Sequence, residues 1–255
     1  MTLLGPADAD QFRVKVGRFG DRWYHDPLPA CDIAEATDAS WPSISTVKKA
    51  SGQDWSYVAM KRCAAAVVSN PDKFTQSDTE NAYETFKVHD KMAKNIAFNR
   101  GTIIHLWFED LLDGKEPRQF SPLDLEVHRL APAALDEATR YRDAVVAWHA
   151  AYHPELVAKE VVCIHRTLNG VGYGGTADAI VRIDGALYMA DWKSRGSDHD
   201  AYAEEAGQVA ALAGAEYMIV TDDDGAPVRR RLPEFEGGLI VSIKTDGCRT
   251  YPVTL

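Results

Sequence analysis

The residues with the most chemical potential are Asp178, Asp191 and Lys193, and a turn lies midway between the two acids. The run from Gly174 to Ile183 and the run from Ala186 to Lys193 are β-rich and flank Asp184-Gly185, a strong short-range hairpin signal. With those two residues as the loop, Ile183 faces Ala186 and, counting outward, Asp178 faces Asp191. Side chains alternate along a strand, so Lys193 projects on the same face as Asp191. Carboxylates opposite one another in a sheet repel, by on the order of 4 kcal/mol at about 4 Å and an effective dielectric near 20. The pair therefore calls for a cation between the acids, a shared proton or full solvation. A hard divalent ion, held by one or two carboxylates and several waters, meets that need. The plainer alternative is an exposed hairpin whose acids align by chance, with Lys193 as a partial counter-ion.

Four further stretches extend the pattern: Trp41-Pro42-Ser43-Ile44-Ser45-Thr46-Val47, a Gly101-x-x-x-His105-x-x-x-Glu109 helix, Gly175-Thr176-Ala177-Asp178 ahead of Asp191-Trp192-Lys193, and Gln208 on a following helix. In this order, over roughly residues 40–245, they resemble the PD-(D/E)XK nuclease superfamily, in the branch of RecB-type and Cas4-like exonucleases, many of them from phages. The resemblance implies a restriction-endonuclease-like core and metal-dependent hydrolysis of DNA phosphodiesters from an end, using one or two Mg²⁺ or Mn²⁺ ions. It implies that Asp178 and Asp191 hold the ions with the backbone carbonyl of Trp192, that His105 is a nitrogen ligand, and that Gln208 holds Lys193 or a phosphate. Lys193 would orient or deprotonate the attacking water, with its pKa lowered among the ions, and would steady the phosphate. Partners implied are linear DNA and a single-strand annealing or other recombination protein; a homo-oligomeric ring would explain processivity.

The chain departs from that branch in two places. Leu212 stands where a tyrosine commonly follows the glutamine. Cys31, Cys63, Cys163 and Cys248 are isolated, so no iron–sulfur cluster of the Cas4 kind is expected. Dispersed cysteines suit a reducing compartment, the cytoplasm of a cell or of a phage host, and suggest no disulfide framework. No phosphate-binding Gly-x-x-x-x-Gly-Lys-Ser/Thr loop occurs, so no ATP use is expected. No apolar run suits a membrane span, and no charged-then-apolar leader is read.

Taken without the resemblance, each side chain keeps an ordinary reading. His105 sits among Ile103, Ile104, Leu106, Trp107 and Phe108, where a histidine satisfied in the core is common. Glu109, one turn later, either orients the imidazole or is a surface acid. Glu160 opens the strand before Asp178. With Asn169-Gly170 as a two-residue loop, residue 161 rather than 160 faces Asp178, and Glu160 points to the wrong side unless a bulge intervenes.

The formal charge of −10 argues against a broad, tight grip on nucleic acid, although phosphate contacts depend on local cations. Lys87, Lys91 and Lys94 fall at helical spacing, with Arg100 beyond, and Arg195 follows the Asp191-Trp192-Lys193 strand. Arg229-Arg230-Arg231 is a second basic cluster. Each is either a DNA contact or a solvated face. Two rival functions stay open: an endonuclease of the same fold acting on branched or specific duplex DNA, and a catalytically silent DNA-binding recombination accessory. A metal hydrolase acting outside nucleic acids has little support.

Positioning these residues needs an α/β chain, and 255 residues with 45% hydrophobic content suffice for one sizeable core. Residues 1–30 read as a β-ribbon turning at Gly20-Asp21. Residues 31–152 read as helical: Trp55–Val68, Glu80–Asn99, Thr102–Leu112, and Ala133–Ala151 opened by Pro132. Residues 153–255 read as the nuclease core, a mixed central sheet flanked by helices. Its strands are Glu160–Arg166, Gly175–Ile183 and Ala186–Lys193, then helix Tyr202–Gly214, then Glu216–Thr221, Val228–Leu232, Gly238–Lys244 and Arg249–Val253.

Overall fold

The computed structural model describes residues 5–6, 9–16, 21–35, 39–46, 56–75, 79–166, 172–195, 201–222 and 224–255. They form a mixed α/β structure around a large sheet. Its strands are β1 (Gly5–Pro6), β5 (Glu155–His165), β6 (Tyr173–Ile183), β7 (Ala186–Ser194), β8 (Tyr217–Thr221), β9 (Pro227–Arg231), β10 (Gly237–Lys244) and β11 (Gly247–Val253), in the order β1-β8-β5-β6-β7-β10-β11 with β9 on β8. Neighbours are antiparallel except β7 and β10. Strand β10 is buried along its whole length, as its near-continuous apolar run requires of a strand covered on both faces. A small sheet of β2 (Arg13–Val16), β3 (Asp21–His25) and β4 (Ser40–Pro42) stands beside it.

Helices cover both faces. On one side the apolar stripe of α3 (Thr79–Leu112), with Ile103, Ile104, Trp107 and Phe108, packs with α5 (Pro132–Thr139) and α6 (Arg142–Tyr152) against Ala179, Val181, Ala190, Trp192 and Val241. On the other, Val209 and Leu212 of α7 (Ala203–Ala213) meet Ala177, Ile180, Met189 and Ile240. The remaining helices are α1 (Ser56–Ser69), α2 (Pro71–Thr75) and α4 (Pro122–Val127). Among the described residues no helix is long and apolar enough to cross a membrane.

Two helical expectations change. Glu80–Asn99 and Thr102–Leu112 are one helix of 34 residues. A lone Gly101 weakens a helix by only ~1 kcal/mol relative to alanine, and packing of the C-terminal half outweighs that. Conversely, Ala133–Ala151 breaks into α5 and α6 around Tyr141, which is buried and donates its hydroxyl to the Arg195 carbonyl at 3.0 Å. Pro132 does open α5 in the first turn.

The amino-terminal ribbon pairs Val16 with Asp21, so Asp21 lies in β3 rather than in the expected Gly20-Asp21 turn, and β4, beyond residue 30, joins the same small sheet. Phe12, Tyr24 and Trp41 share a core with Val162, Ile164, Tyr217 and Ile219. Arg229 locks the two parts together. Its side chain is about 1% exposed and donates to Asp26 at 2.6 Å and to the carbonyls of Leu28 and Pro29 at 2.8 and 2.5 Å, while Tyr217 donates to the same Asp26 at 2.8 Å. The Arg229-Arg230-Arg231 cluster therefore divides: Arg229 is an internal clamp, and Arg230 and Arg231 face solvent.

Candidate functional site

The β6–β7 hairpin has the register that Asp184-Gly185 predicts: Ile183 pairs with Ala186, and the ladder runs to Ala179 with Ala190. One step further the strands splay. Asp178 turns its carboxylate onto the backbone, accepting the Trp192 N–H at 2.7 Å. Asp191 points to the same side of the sheet and is 4% exposed.

Register decides the next acid. In β5, Val161 pairs with Ala177 and Lys159 with Ala179, so Glu160 faces Asp178 directly. The expected register, with residue 161 opposite Asp178, is off by one, and a slip of one residue exchanges the two faces of a strand. Asn169-Gly170 lies outside the described residues, but His165 pairing with Tyr173 leaves a longer connection than two residues. Glu160 also carries a left-handed backbone, φ 48°.

Helix α3 crosses the splayed end. Phe108 stacks on Trp192 with ring centroids 4.4 Å apart and planes 2° apart. One turn earlier, His105 Nε2 lies 3.0 Å from the Trp192 carbonyl. A carbonyl only accepts, so Nε2 carries a proton, and in the neutral imidazole Nδ1 is the nitrogen with the lone pair. Nδ1 sits 3.8 Å from Asp178 Oδ1. Trp192 O thus orients the imidazole. His105, Glu160 and Asp178 each offer one ligand atom, all within 4.8 Å of one another.

Asp191 stands apart from that trio, held by Lys193, whose Nζ is 2.5 Å from Asp191 Oδ2. Burial pushes the Asp191 carboxyl up to about 6, against the pull of Lys193 and with the help of Asp178. Burial acts to lower Lys193, but Asp191 and Asp178 outweigh it and the ammonium is held above its ordinary range. Glu109 is half-buried, and burial raises its carboxyl against the opposing charges of Lys159, Arg118 and His105.

A cavity of about 600 Å³ gathers His105, Glu109, Glu160, Asp178, Asp191, Trp192, Lys193 and Gln208. Leu212, four residues after Gln208, is buried over Gly175, where an added Cβ would come within 2.5 Å of Leu212 Cδ2. The cavity also takes in Arg22, Tyr24, Ser43, Ser45, Phe98, Thr102 and Thr176. Tyr24 reaches Thr176 across 3.0 Å, seating the small sheet as one wall. Ser43 and Ser45 were part of the motif at residues 41–47; Arg22 and Tyr24 carried no local signal beyond strand alternation.

The expected basic patch does not line this cavity. Lys87 pairs with Glu84 at 2.7 Å, Lys94 with Asp90 at 2.5 Å, and Lys91 is exposed. Arg100 pairs with Glu137 at 2.9 Å, and Arg195 with Glu205, lying over the Tyr202 ring. Among the described residues, acids within a turn or on another helix pair with each of these cations except Lys91.

No family model matches the chain, and no curated protein matches it. Among solved structures, a crystal structure of SSO0001 is similar at 18% identity with a TM-score of 0.29, over 60% of this chain and 65% of that one.

Proposed function

We propose that this protein is a metal-dependent DNA exonuclease with a restriction-endonuclease-like core of the RecB and Cas4-like type. The observation that carries the reading is the grouping of His105, Glu160 and Asp178 within 4.8 Å, beside the Lys193–Asp191 pair in a single cavity. One imidazole nitrogen and two carboxylates, with Asp191 adjacent, suit Mg²⁺ and Mn²⁺, the nitrogen favouring Mn²⁺. Such an ion, when bound, supplies a nucleophile at neutral pH and offsets charge on the phosphate.

The protein's own groups divide the remaining tasks. The Trp192 carbonyl fixes the imidazole tautomer so that Nδ1 faces Asp178. The Trp192 N–H holds one oxygen of Asp178, leaving the other toward His105. Lys193, kept as an ammonium by Asp191, steadies a phosphate oxygen and orients the attacking water. In hydrolysis the water oxygen bonds to phosphorus, its proton is taken up by a neighbouring base, and the phosphorus–ester oxygen bond breaks with protonation of the leaving oxygen. Gln208, on α7, hydrogen-bonds the phosphate, and Arg22, also on the cavity lining, supplies charge.

The test is incubation with end-labelled linear DNA and with covalently closed circles, in Mg²⁺, Mn²⁺ or EDTA, beside Lys193→Ala. Metal-dependent loss of linear DNA alone, absent in Lys193→Ala, is the expected result. Cleavage of closed circles would move the reading to an endonuclease. Full activity in Lys193→Ala would sink the mechanism.

A further inference from the structure

Helix α3 turns one face to the cavity, carrying Phe98, Gly101, Thr102, His105 and Glu109. Among the described residues of the lining, Phe98 is the large apolar side chain that stands mostly in solvent, 67% exposed. The other large aliphatic side chains of the lining are more covered: Ile44 and Leu212 are buried and Leu106 is half-buried. Phe98 lies two turns before His105 on the same helical face, about 10 Å along the axis at ~1.5 Å per residue. An aromatic ring left in water at the edge of a polar cavity gains most from a flat partner that covers its face.

Resting on the nuclease reading of this cavity, we propose that Phe98 is a stacking platform for an unpaired nucleobase of the substrate, which makes the site selective for single-stranded or splayed DNA ends. A base inside a duplex has both π-faces occupied by its neighbours, whereas an unpaired base has a face free for the ring. Stacking of this kind tolerates any base. At ~3.4 Å per stacked nucleotide, the separation from His105 places the stacked base within about three nucleotides of the scissile bond. The polar groups of Arg22 and Ser45, also exposed on the lining, suit the sugar-phosphate chain.

The experiment measures kcat and KM on single-stranded oligonucleotides, intact or with one abasic residue walked through successive positions, for wild type, Phe98→Ala and Phe98→Trp. Phe98→Ala is expected to raise KM by about 5- to 150-fold, the span of base–aromatic stacking, with a smaller change in kcat. Phe98→Trp restores binding. A single abasic position costs wild type a similar factor and costs Phe98→Ala nothing more, since each change removes the same contact. Wild-type KM in Phe98→Ala, or an abasic loss that adds in full to the substitution, overturns the platform. Those results are distinct from failure of the nuclease reading, in which wild type itself cleaves no DNA with any metal.

Discussion

Replacing Glu160 by glycine removes a carboxylate from the site and a left-handed backbone from a residue that resists it. Glu160 has φ 48°, a conformation that costs an L-residue roughly 1–2 kcal/mol. Glycine gives back about 0.5–1 kcal/mol of that as extra freedom in the unfolded chain. Glu160 also faces Asp178 across the β5–β6 ladder, and relieving like charges placed opposite adds about 0.2–1 kcal/mol. In EDTA, Glu160→Gly is therefore expected to be more stable than wild type by on the order of 1 kcal/mol, which raises Tm by about 2–4 °C for a chain of this size. Divalent metal reverses the order. At an ion concentration 100 times its Kd, wild type gains about 2.7 kcal/mol, whereas a variant binding roughly 100-fold more weakly gains about 0.4 kcal/mol. The assay is thermal and urea unfolding with EDTA and with a Mn²⁺ series, beside Glu160→Gln, which keeps the backbone strain and loses the charge. A Glu160→Gly protein less stable than wild type in EDTA would falsify the strain argument. A Mn²⁺ shift equal to that of wild type would remove Glu160 from the ligand set.

Two other perturbations follow from the same physical chemistry. Burial raises the folded pKa of Glu109, so the folded state holds its proton to higher pH than the unfolded state, and its contribution to stability falls as pH rises above the ordinary carboxyl value. Glu109→Gln is therefore expected to gain on wild type at pH 7 and to match it near pH 4, by urea unfolding in EDTA; an equal difference at both pH values contradicts the assignment. Among the described residues, Arg229→Leu leaves the fully buried Asp26 with Tyr217 as its remaining side-chain partner, and is expected to cost about 3–5 kcal/mol in chemical denaturation. A loss under 1 kcal/mol would mean that the clamp between ribbon and sheet is dispensable.

Some of this architecture lies in short stretches of sequence. Asp184-Gly185 dictates a tight turn, and a tight turn dictates register, so the positions of Asp178, Asp191 and Lys193 follow from residues adjacent in the chain. Pro132 and the strands of the carboxyl-terminal half are similarly local, and their bounds match within a few residues, except that β5 begins earlier, at Glu155.

Tertiary structure decided the rest, wherever two parts distant in sequence compete for one place. Glu160 meets Asp178 because the β5–β6 connection is longer than a two-residue turn. Gly101 stays helical because the stripe from Ile103 to Phe108 is buried against the sheet. His105 has its tautomer set by a carbonyl that lies 87 residues away in sequence. Arg229 looks like its two neighbours in a basic run, yet it is buried because Asp26 and the carbonyls after it need a cation. Local propensity distinguishes strand from helix and turn from both. Which face of a strand meets a partner, and which charge is neutralised, depends on packing energies that accrue only when the whole chain is assembled.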